Sequence, residues 1–324
     1  MSIKITRAGI LATLQDHGRK GYRSIGVGTG GAMDCFAMSV ANHLVGNDED
    51  DTVIEIHFPA PEIVFETDAM IAITGANLNA LVDEIQVPGW STLLVKKDSV
   101  LKFNQPVFGT RVYLAVKEGW QAEEWLSSFS THLKLLVGGH YGRSLQKEDR
   151  LFFKPTIQNF EESKIFTSPV SQQLLDEIYQ PLNEVRCLKG IEYELLDTAG
   201  KKSFETKDFM VTHQSDRMGY RLKGQPLLLK EPIELISSPV DAGTIQLLPD
   251  GNCIVLMADH PTTGGYPRIG SVITADLPKL AQAKPGQAIN FKIVPLKEAE
   301  DMYMQMKGIE EEIKFACQLQ LKNL

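Results

Sequence analysis

The stretch Ile254–Ile273, IVLMADHPTTGGYPRIGSVI, predicts two β-strands that flank a loop rich in glycine and hydroxyl groups. Both ends are short, apolar and rich in β-branched residues, and breaker residues bound them, as is typical of strands. The loop combines the paired threonines Thr262 and Thr263 with two glycines and Tyr266. Glycine lets the backbone approach a ligand, and hydroxyls can donate to a carboxylate, a phosphate or an oxyanion. The alternative is a tight hairpin whose glycines serve only the conformation of the backbone.

The composition is that of an ordinary globular protein. The chain has 324 residues, 43% hydrophobic and 23% charged, with a net charge of −8. This length accommodates two domains. An acidic chain without a long basic run is a poor partner for nucleic acid, and no apolar stretch is long enough to span a membrane. The start lacks a secretory signal, and the four cysteines form no Cys-x-x-Cys pair. We therefore expect a cytoplasmic protein without a disulfide framework.

Short strands separated by turn residues recur along the chain. Apolar segments alternate with Pro, Gly, Asn and Asp between Thr52 and Val116, and the second half repeats the pattern. Such spacing is typical of a β-sandwich or a β-barrel. We predict a mainly β protein with a few helices and two lobes. The predicted parts are a β-rich lobe at 1–160, a linker at 158–169, a β-barrel lobe at 170–295 and a C-terminal helix at 296–324.

Two segments have the apolar spacing of helices. The first follows the glycine-rich stretch Gly26–Gly31 and ends at Gly46. Although that stretch fits G-x-G-x-x-G, no buried strand precedes it and no βαβ repeat follows, so we reject a dinucleotide site. The N–H groups at this helix start can hold an anion, in competition with Asp34. The second helix carries an apolar stripe that we expect to pack on the core: Met302, Met306, Ile309, Ile313 and Ala316.

Polar side chains cluster in the turn Gln15–Arg19, which contains an amide, an acid and a base. The alternative for this turn is a solvated pair of Asp16 with Arg19, which contributes little to stability. Arg111 precedes an apolar strand, where it either points into a cleft or forms an ion pair at the rim.

Arg217 and Arg221 flank a Gly-Tyr pair and can clamp a carboxylate or a phosphate. The alternative is that they pair with Asp216 and Glu234. The seven histidines include no His-x-x-x-His pair and no Cys/His cluster, so we predict no dedicated metal site. His260, beside the paired threonines, is a candidate base.

Several motifs coincide with those of one known family. In the first half they are Thr13-Leu14-Gln15-Asp16-x-Gly18-Arg19-x-Gly21, Gly31-Ala32-Met33-Asp34, Ala41-Asn42-x-Leu44-Val45-Gly46-Asn47, Arg111-x-Tyr113-Leu114-Ala115-Val116 and Gly138-Gly139-x-x-Gly142-Arg143. In the second half they are Ser215-Asp216-Arg217-Met218-Gly219-Tyr220-Arg221-Leu222, Gly243-Thr244-Ile245-Gln246, Thr262-Thr263-Gly264-Gly265-Tyr266-Pro267 and Ala275-Asp276-Leu277. With these motifs in this order, the chain resembles the biotin-dependent carboxyltransferase C–D subdomain family. That family includes KipA, the second subunit of allophanate-hydrolase-type proteins and the C-type subunit of bacterial 5-oxoprolinases.

The resemblance implies cyclophilin-like β-barrel lobes and a hydrolase subunit that is inactive alone. It implies ATP-dependent opening of 5-oxo-L-proline to L-glutamate, with this chain as the C-type subunit beside a KipI- or subunit-B-like partner and a subunit-A-like partner. The same family leaves two alternatives. One is a regulatory protein that antagonises a KipI-like kinase inhibitor, and the other is a carboxyltransferase lobe that acts with an external carboxybiotin carrier. The chain itself has no biotin-carrier Met-Lys-Met motif.

We expect the glycine-rich loops, though distant along the chain, to converge on one pocket for a small carboxylate. The predicted catalytic residues are Asp16, Asp34, Asp259 and Thr263, and the choice of general base among the three acids stays open. The predicted substrate-binding residues are Gln15, Arg19, Arg111, Arg217, Tyr220, Arg221, Thr262, Gly264, Gly265 and Tyr266. Pro261 stands where the family usually has Gln, and Lys117-Glu118 stands where it usually has Gly-Gly. These departures leave room for a shifted substrate.

Overall fold

The computed structural model describes residues 1–154, 164–165, 167 and 169–322. The chain divides into two compact units. Unit 1 comprises Met1–Arg19, Gly30–Gln172 and Ile309–Leu324, and unit 2 comprises Lys20–Thr29 and Gln173–Gly308. The linker predicted at 158–169 lies largely outside the described residues. The protein is mainly β, as predicted.

In its described residues, unit 1 contains two six-stranded sheets. Its elements are β1 (Ser2–Arg7), β2 (Leu11–Gln15), α1 (Cys35–Val45), β3 (Val53–His57), β4 (Glu62–Phe65), β5 (Ala69–Asn77), β6 (Ala80–Val82), β7 (Ile85–Gln86), β8 (Thr92–Val95), β9 (Val100–Phe103), β10 (Phe108–Val116), β11 (Arg150–Phe152) and β12 (Lys164–Ile165). The strand order is β11-β1-β4-β9-β6-β7 in one sheet and β12-β8-β5-β10-β3-β2 in the other.

The core of unit 1 lies between these sheets. Ile54 and Leu114 of the second sheet belong to the same buried cluster as Ile3 and Ile63 of the first sheet. Each such side chain contributes roughly 1.5–3 kcal/mol on burial. Because side chains alternate along a strand, the neighbouring residue Glu55 points to the opposite face, which α1 covers. That covered face carries the polar residues of the candidate site.

Unit 2 is built on a closed β-barrel. Its elements are a short 3₁₀ turn at Arg23–Ile25, α2 (Gln172–Tyr179), β13 (Glu184–Lys189), a 3₁₀ turn at Tyr193–Leu195, α3 (Thr198–Thr206), β14 (Phe209–Val211), β15 (Gly219–Lys223), β16 (Ser238–Pro239), β17 (Thr244–Leu247), β18 (Cys253–Leu256), β19 (Thr263–Gly264), β20 (Arg268–Val272), a 3₁₀ turn at Thr274–Asp276, α4 (Leu277–Ala281) and β21 (Ala288–Ile293). The barrel order is β13-β20-β17-β18-β15-β14-β21, and β13 closes it by pairing in parallel with β21.

Aromatic rings fill part of unit 2. Phe204 of α3 stacks on Phe291 of β21 with the ring centroids 5.0 Å apart, and Phe209 of β14 lies 5.6 Å from Phe291. β16 and β19 pair outside the barrel as a separate two-stranded ladder. This ladder includes part of the loop with the paired threonines.

The C-terminal helix α5 (Leu296–Leu321) begins in unit 2 and continues in unit 1. Met306, Ile309 and Ile313 of the predicted stripe are buried. Ala316 is exposed, and Cys317 takes its place. The prediction of Ala316 was wrong because a step of four residues from Ile313, not three, continues the buried face. No helix in the described part of the chain is long and apolar enough to cross a membrane.

Candidate functional site

Asp16 is buried at the end of β2, where a neighbouring loop holds its carboxylate. Oδ1 accepts hydrogen bonds from Ser128 Oγ at 2.8 Å and from Ser130 Oγ. It also accepts one from the Gly18 N–H at 2.7 Å, and Oδ2 accepts one from the Phe129 N–H. A carboxylate with this many donors orders the loop around it. Asp16 therefore joins β2 to residues 128–130.

Arg19 is 0% exposed and contacts the same loop. Its Nη2 donates to the Ser130 carbonyl, and its guanidinium lies over the Trp125 ring, 4.9 Å from the centroid. Both contacts compensate for the burial of a cation. The solvated pair of Asp16 with Arg19, the alternative for this turn, is wrong, because both side chains are buried and contact the loop that contains Ser130.

The glycine-rich turn Gly138–Gly142 serves packing within the protein. Gly139 has a φ of 63°, and a Cβ there would lie 2.0 Å from Thr131 Oγ1. Only glycine permits this approach. Arg143, at the end of the turn, forms a bidentate pair with Asp149 at 2.7 and 2.8 Å. The glycines of this family motif therefore have a structural explanation.

A buried network joins β3 and β10 to the turn before α1. Glu55 Oε2 accepts hydrogen bonds from the Tyr113 hydroxyl at 2.9 Å and from the Met33 N–H at 2.8 Å. The Tyr113 oxygen accepts one from the Asp34 N–H at 2.8 Å. Burial, together with the Glu55 and Asp34 carboxylates, raises the pKa of Tyr113 well above its usual value. The hydroxyl therefore stays protonated and donates to Glu55.

Asp34 is the N-cap of α1 and accepts a hydrogen bond from the Ala37 N–H at 2.9 Å. The Ala32 N–H donates to the Asp16 carbonyl at 2.9 Å, and those of Met33 and Asp34 donate to the network. A bound anion requires such amides to face the ligand. The N–H groups of Ala32, Met33 and Asp34 therefore donate within the protein and do not serve the predicted anion site. A catalytic role of Asp34 stays a prediction.

Arg111 lies within β10 rather than before it, opposite His57 of β3. It is buried, and its Nη1 donates to Thr110 Oγ1 at 3.2 Å. Burial and the charge of Arg111 both lower the pKa of His57. A neutral imidazole beside a buried guanidinium avoids repulsion between like charges.

Gln15 is fully buried at the end of β2. Its Nε2 donates to Thr13 Oγ1 at 2.9 Å, while Oε1 has no hydrogen-bond partner among the described residues. A buried amide oxygen without a hydrogen-bond partner is uncommon in native proteins. Such an oxygen can accept a hydrogen bond from a ligand.

In unit 2, Arg217 and Asp259 form a bidentate ion pair. Nε donates to Oδ2 at 2.8 Å, and Nη2 donates to Oδ1 at 3.0 Å. The alternative partner, Asp216, instead accepts from the N–H groups of Met218 and Gly219 at 2.8 and 3.1 Å. The pairing of Arg217 with Asp216 was therefore wrong, because Asp216 stabilises its own turn.

The loop after Asp259 presents side chains to solvent. Thr263 is exposed, Thr262 is half-buried and Tyr266 is 46% exposed. Thr263–Gly264 pairs with Ser238–Pro239, which holds this part of the loop in extended form. The hydroxyls are thus accessible on a segment of fixed backbone.

Gly264 lies against Gln246 of β17. A Cβ at Gly264 would lie 2.4 Å from Gln246 Nε2, so a larger residue would displace this side chain. Gln246 is 3% exposed, and its Nε2 has no hydrogen-bond partner in the described parts of the chain. A buried amide donor therefore lies directly beneath the loop with the paired threonines.

The remaining predicted residues of this unit differ in exposure. Arg221 is exposed on β15. Tyr220 is buried, and its hydroxyl donates to the Ala281 carbonyl at 3.2 Å, a position that argues against substrate binding by this group. His260 is buried beside the Pro261 carbonyl at 2.7 Å, and burial lowers its pKa.

Asp16 and Arg19 lie in one turn of unit 1. In unit 2, Arg217 pairs with Asp259 at the start of the loop with the paired threonines. The sequence analysis predicted that these loops converge on one pocket. Such a pocket would contain residues of both units, and its existence stays a prediction. The sequence analysis gave no site role to five buried polar residues, although two of them, Tyr113 and Gln246, stand in the family motifs: Glu55, Tyr113, Ser128, Ser130 and Gln246. For Glu55 and Gln246, the available signal was a polar residue inside an otherwise apolar strand.

Residues 25–293 match the family model of the carboxyltransferase domain, subdomain A and B. The chain belongs to this family, as the sequence motifs indicated, although the matching model describes subdomains A and B rather than C and D.

Among its relatives is the C-type subunit of the 5-oxoprolinase of Escherichia coli (strain K12), which is 40% identical over 298 residues, or 92% of this chain and 93% of that protein. The corresponding 5-oxoprolinase subunit of Haemophilus influenzae is 36% identical over 89% of this chain and 90% of that protein. The crystal structure of the K. lactis urea amidolyase shares the fold, with a TM-score of 0.86 and 24% identity over 96% of this chain. This chain spans 20% of the amidolyase chain.

Proposed function

We propose that this chain is the C-type subunit of an ATP-dependent 5-oxoprolinase, which opens 5-oxo-L-proline to L-glutamate. The observation that carries the proposal is the 40% identity to the 5-oxoprolinase subunit of Escherichia coli, with 92% of this chain and 93% of the relative aligned. Because the alignment covers most of both chains, the proposal rests on more than one shared motif or domain. Its partners would be a subunit-A-like protein and a KipI- or subunit-B-like protein, and ATP would be used within the assembly.

The loop with the paired threonines is the proposed substrate-binding element. Opening a lactam places negative charge on the former amide oxygen in the transition state. Thr263, which is exposed, and the neighbouring backbone can donate hydrogen bonds to that oxygen. The Arg217–Asp259 pair supports the start of the loop, so these donors are held before substrate arrives. Arg221, exposed on β15, is the proposed partner of the substrate carboxylate.

Substitutions in the assembled enzyme test this assignment. The complex would be purified with the A- and B-type subunits of the same organism, and ATP-dependent glutamate formation from 5-oxoproline would be followed. We expect Thr263→Ala and Arg221→Ala to reduce kcat/KM by at least about tenfold. The matched control is Lys223→Ala, which removes another exposed cation of β15. Wild-type rates in both site variants would remove these residues from the site.

The carboxyltransferase alternative has a specific observation in its favour, the match of residues 25–293 to the family model of the carboxyltransferase domain. It predicts carboxyl transfer from a separate biotin carrier. The regulatory alternative predicts a tight complex with a KipI-like protein and no turnover of 5-oxoproline. Both are distinguished by the same preparation, assayed with 5-oxoproline and ATP and, separately, with carboxybiotin. Cytoplasmic location is part of the proposal, in keeping with the free thiols of Cys35, Cys187, Cys253 and Cys317.

A further inference from the structure

We propose that unit 1 binds a divalent transition-metal cation between His43, Glu49 and Glu310. One ligand atom from each of these residues lies within 4.8 Å of the others. His43 is on α1, Glu49 is in the loop that follows, and Glu310 is on α5. The sequence analysis predicted no dedicated metal site because it searched for ligands close together along the chain. His43 on α1 and Glu310 on α5 are far apart in the sequence, so that search could not find this cluster.

His43 is the group that points to a ligand. Its side chain is 3% exposed, and Nε2 has no hydrogen-bond partner among the residues described. The carboxylate oxygen Glu310 Oε1 lies 3.9 Å away, beyond hydrogen-bonding distance. Buried ring nitrogens normally have a partner, and a metal ion is one such partner.

The surroundings provide room for the ion and for a water ligand. His43 and Glu49 line a cavity of about 460 Å³, together with Asp48, Asp50 and Lys314. In a tetrahedral zinc site with bonds of about 2.0–2.2 Å, the ligand atoms lie roughly 3.4 Å apart. The 3.9 Å between His43 Nε2 and Glu310 Oε1 therefore needs to shorten by only a few tenths of an ångström. Glu49 is exposed and can adjust its rotamer.

The charges also suit a divalent cation. Two carboxylates and a neutral imidazole leave two negative charges for the ion to balance, with Asp48 and Asp50 adding to the acidic lining. Lys314 Nζ lies 3.9 Å from Glu49 Oε2 and 3.6 Å from Glu311 Oε1. We expect the metal to replace Lys314 as the counterion of Glu49. A mixed nitrogen and oxygen set prefers Zn²⁺ and similar ions to Mg²⁺ or Ca²⁺.

Titration of the full-length chain with Zn²⁺ tests the proposal. The protein would first be stripped with a chelator and desalted, and binding would be measured by calorimetry and by metal analysis after a second desalting. We expect one Zn²⁺ per chain and a Kd at least about tenfold higher in His43→Gln, Glu49→Gln and Glu310→Gln, since each loses a ligand. Mg²⁺ is expected to bind more weakly than Zn²⁺.

Matched controls separate this site from non-specific binding. His140→Gln removes another histidine of unit 1, and Glu311→Gln removes the exposed neighbour of Glu310. Both are expected to keep the wild-type Kd. Because Glu49 is exposed, Glu49→Gln tests the site even where a buried variant unfolds. Absence of saturable Zn²⁺ binding by the wild type, or equal binding by folded Glu49→Gln, would overturn the proposal.

Discussion

Arg217 donates two side-chain hydrogen bonds to Asp259, at 2.8 and 3.0 Å, and its carbonyl accepts the Asp259 N–H at 2.8 Å. Side chain and main chain thus join the turn before β15 to the loop after β18. Parallel hydrogen bonds between a guanidinium and a carboxylate fix orientation as well as distance. We infer that this pair positions the loop with Thr262 and Thr263.

Replacing the acid of this pair is predicted to destabilise the protein. Asp259→Asn keeps the shape but removes the carboxylate that faces the buried Arg217. We expect the free energy of unfolding to fall by about 1–3 kcal/mol, measured by urea denaturation. Asp208→Asn, at an exposed position, is the control. An equal effect of the two substitutions would show that the pair does not stabilise the loop.

The Tyr113 hydroxyl is predicted to matter for stability because it serves two buried groups. Tyr113→Phe removes the donor to Glu55 and the acceptor of the Asp34 N–H. Losing two buried hydrogen bonds of this kind is expected to cost about 1–3 kcal/mol of unfolding free energy. Tyr141→Phe, at a position that is 70% exposed, removes a hydroxyl from the surface of the same unit. Chemical denaturation of both variants checks the prediction, and an unchanged midpoint for Tyr113→Phe would contradict it.

Asp276, part of the family motif Ala275-Asp276-Leu277, is 0% exposed. It accepts from the Arg186 N–H at 2.7 Å and from Arg186 Nε at 3.0 Å, and Lys279 Nζ lies 3.1 Å away. Asp276→Asn leaves both cations without their carboxylate, so we expect a loss of about 3–5 kcal/mol.

The control for Asp276 is an exposed ion pair. Asp301 pairs with Lys297 at 2.7 Å on the surface of α5. Asp301→Asn is expected to leave the thermal midpoint unchanged, because solvent screens this pair. If calorimetry gave the same midpoint for Asp276→Asn, the buried cluster would not be a stability determinant.

Stability is predicted to fall in acid, and His260 contributes to this fall. Burial lowers the pKa of His260 below its usual 6.5. The unfolded chain binds a proton near that pH while the folded protein does not, so the unfolding free energy decreases as the pH drops below 6.5. His260→Asn should reduce the difference in stability between about pH 7.5 and about pH 5.5. The exposed His213→Asn is the control, and equal pH dependence in both variants would contradict the prediction.

The strands and helices could be predicted because their signals are local. The end of α1 at Gly46 and the apolar strand within β10 follow from spacing and composition. Ala316 was predicted in the buried stripe of α5 because the helical repeat of about 3.6 residues allows a step of either three or four residues after Ile313. Only the packing of the core selects Cys317.

The partners of buried polar groups could not be predicted in the same way. Asp16 bonds Ser128 and Ser130, more than a hundred residues away. His43 and Glu310 are brought together only by the packing of α1 and α5. Sequence spacing contains no information on such tertiary contacts. The loop around Thr263, by contrast, could be predicted as a loop, because paired glycines and hydroxyls between two strands are a local pattern, and its role in binding stays a prediction.

In the proposed role, this chain is an indispensable subunit of a 5-oxoprolinase. The most direct measurement is glutamate formed per ATP hydrolysed by the A- and B-type subunits, with and without this chain, at saturating 5-oxoproline. We predict that glutamate forms in proportion to ATP hydrolysis only when the chain is present. Equal glutamate formation in its absence, or none in the complete mixture, would contradict this role.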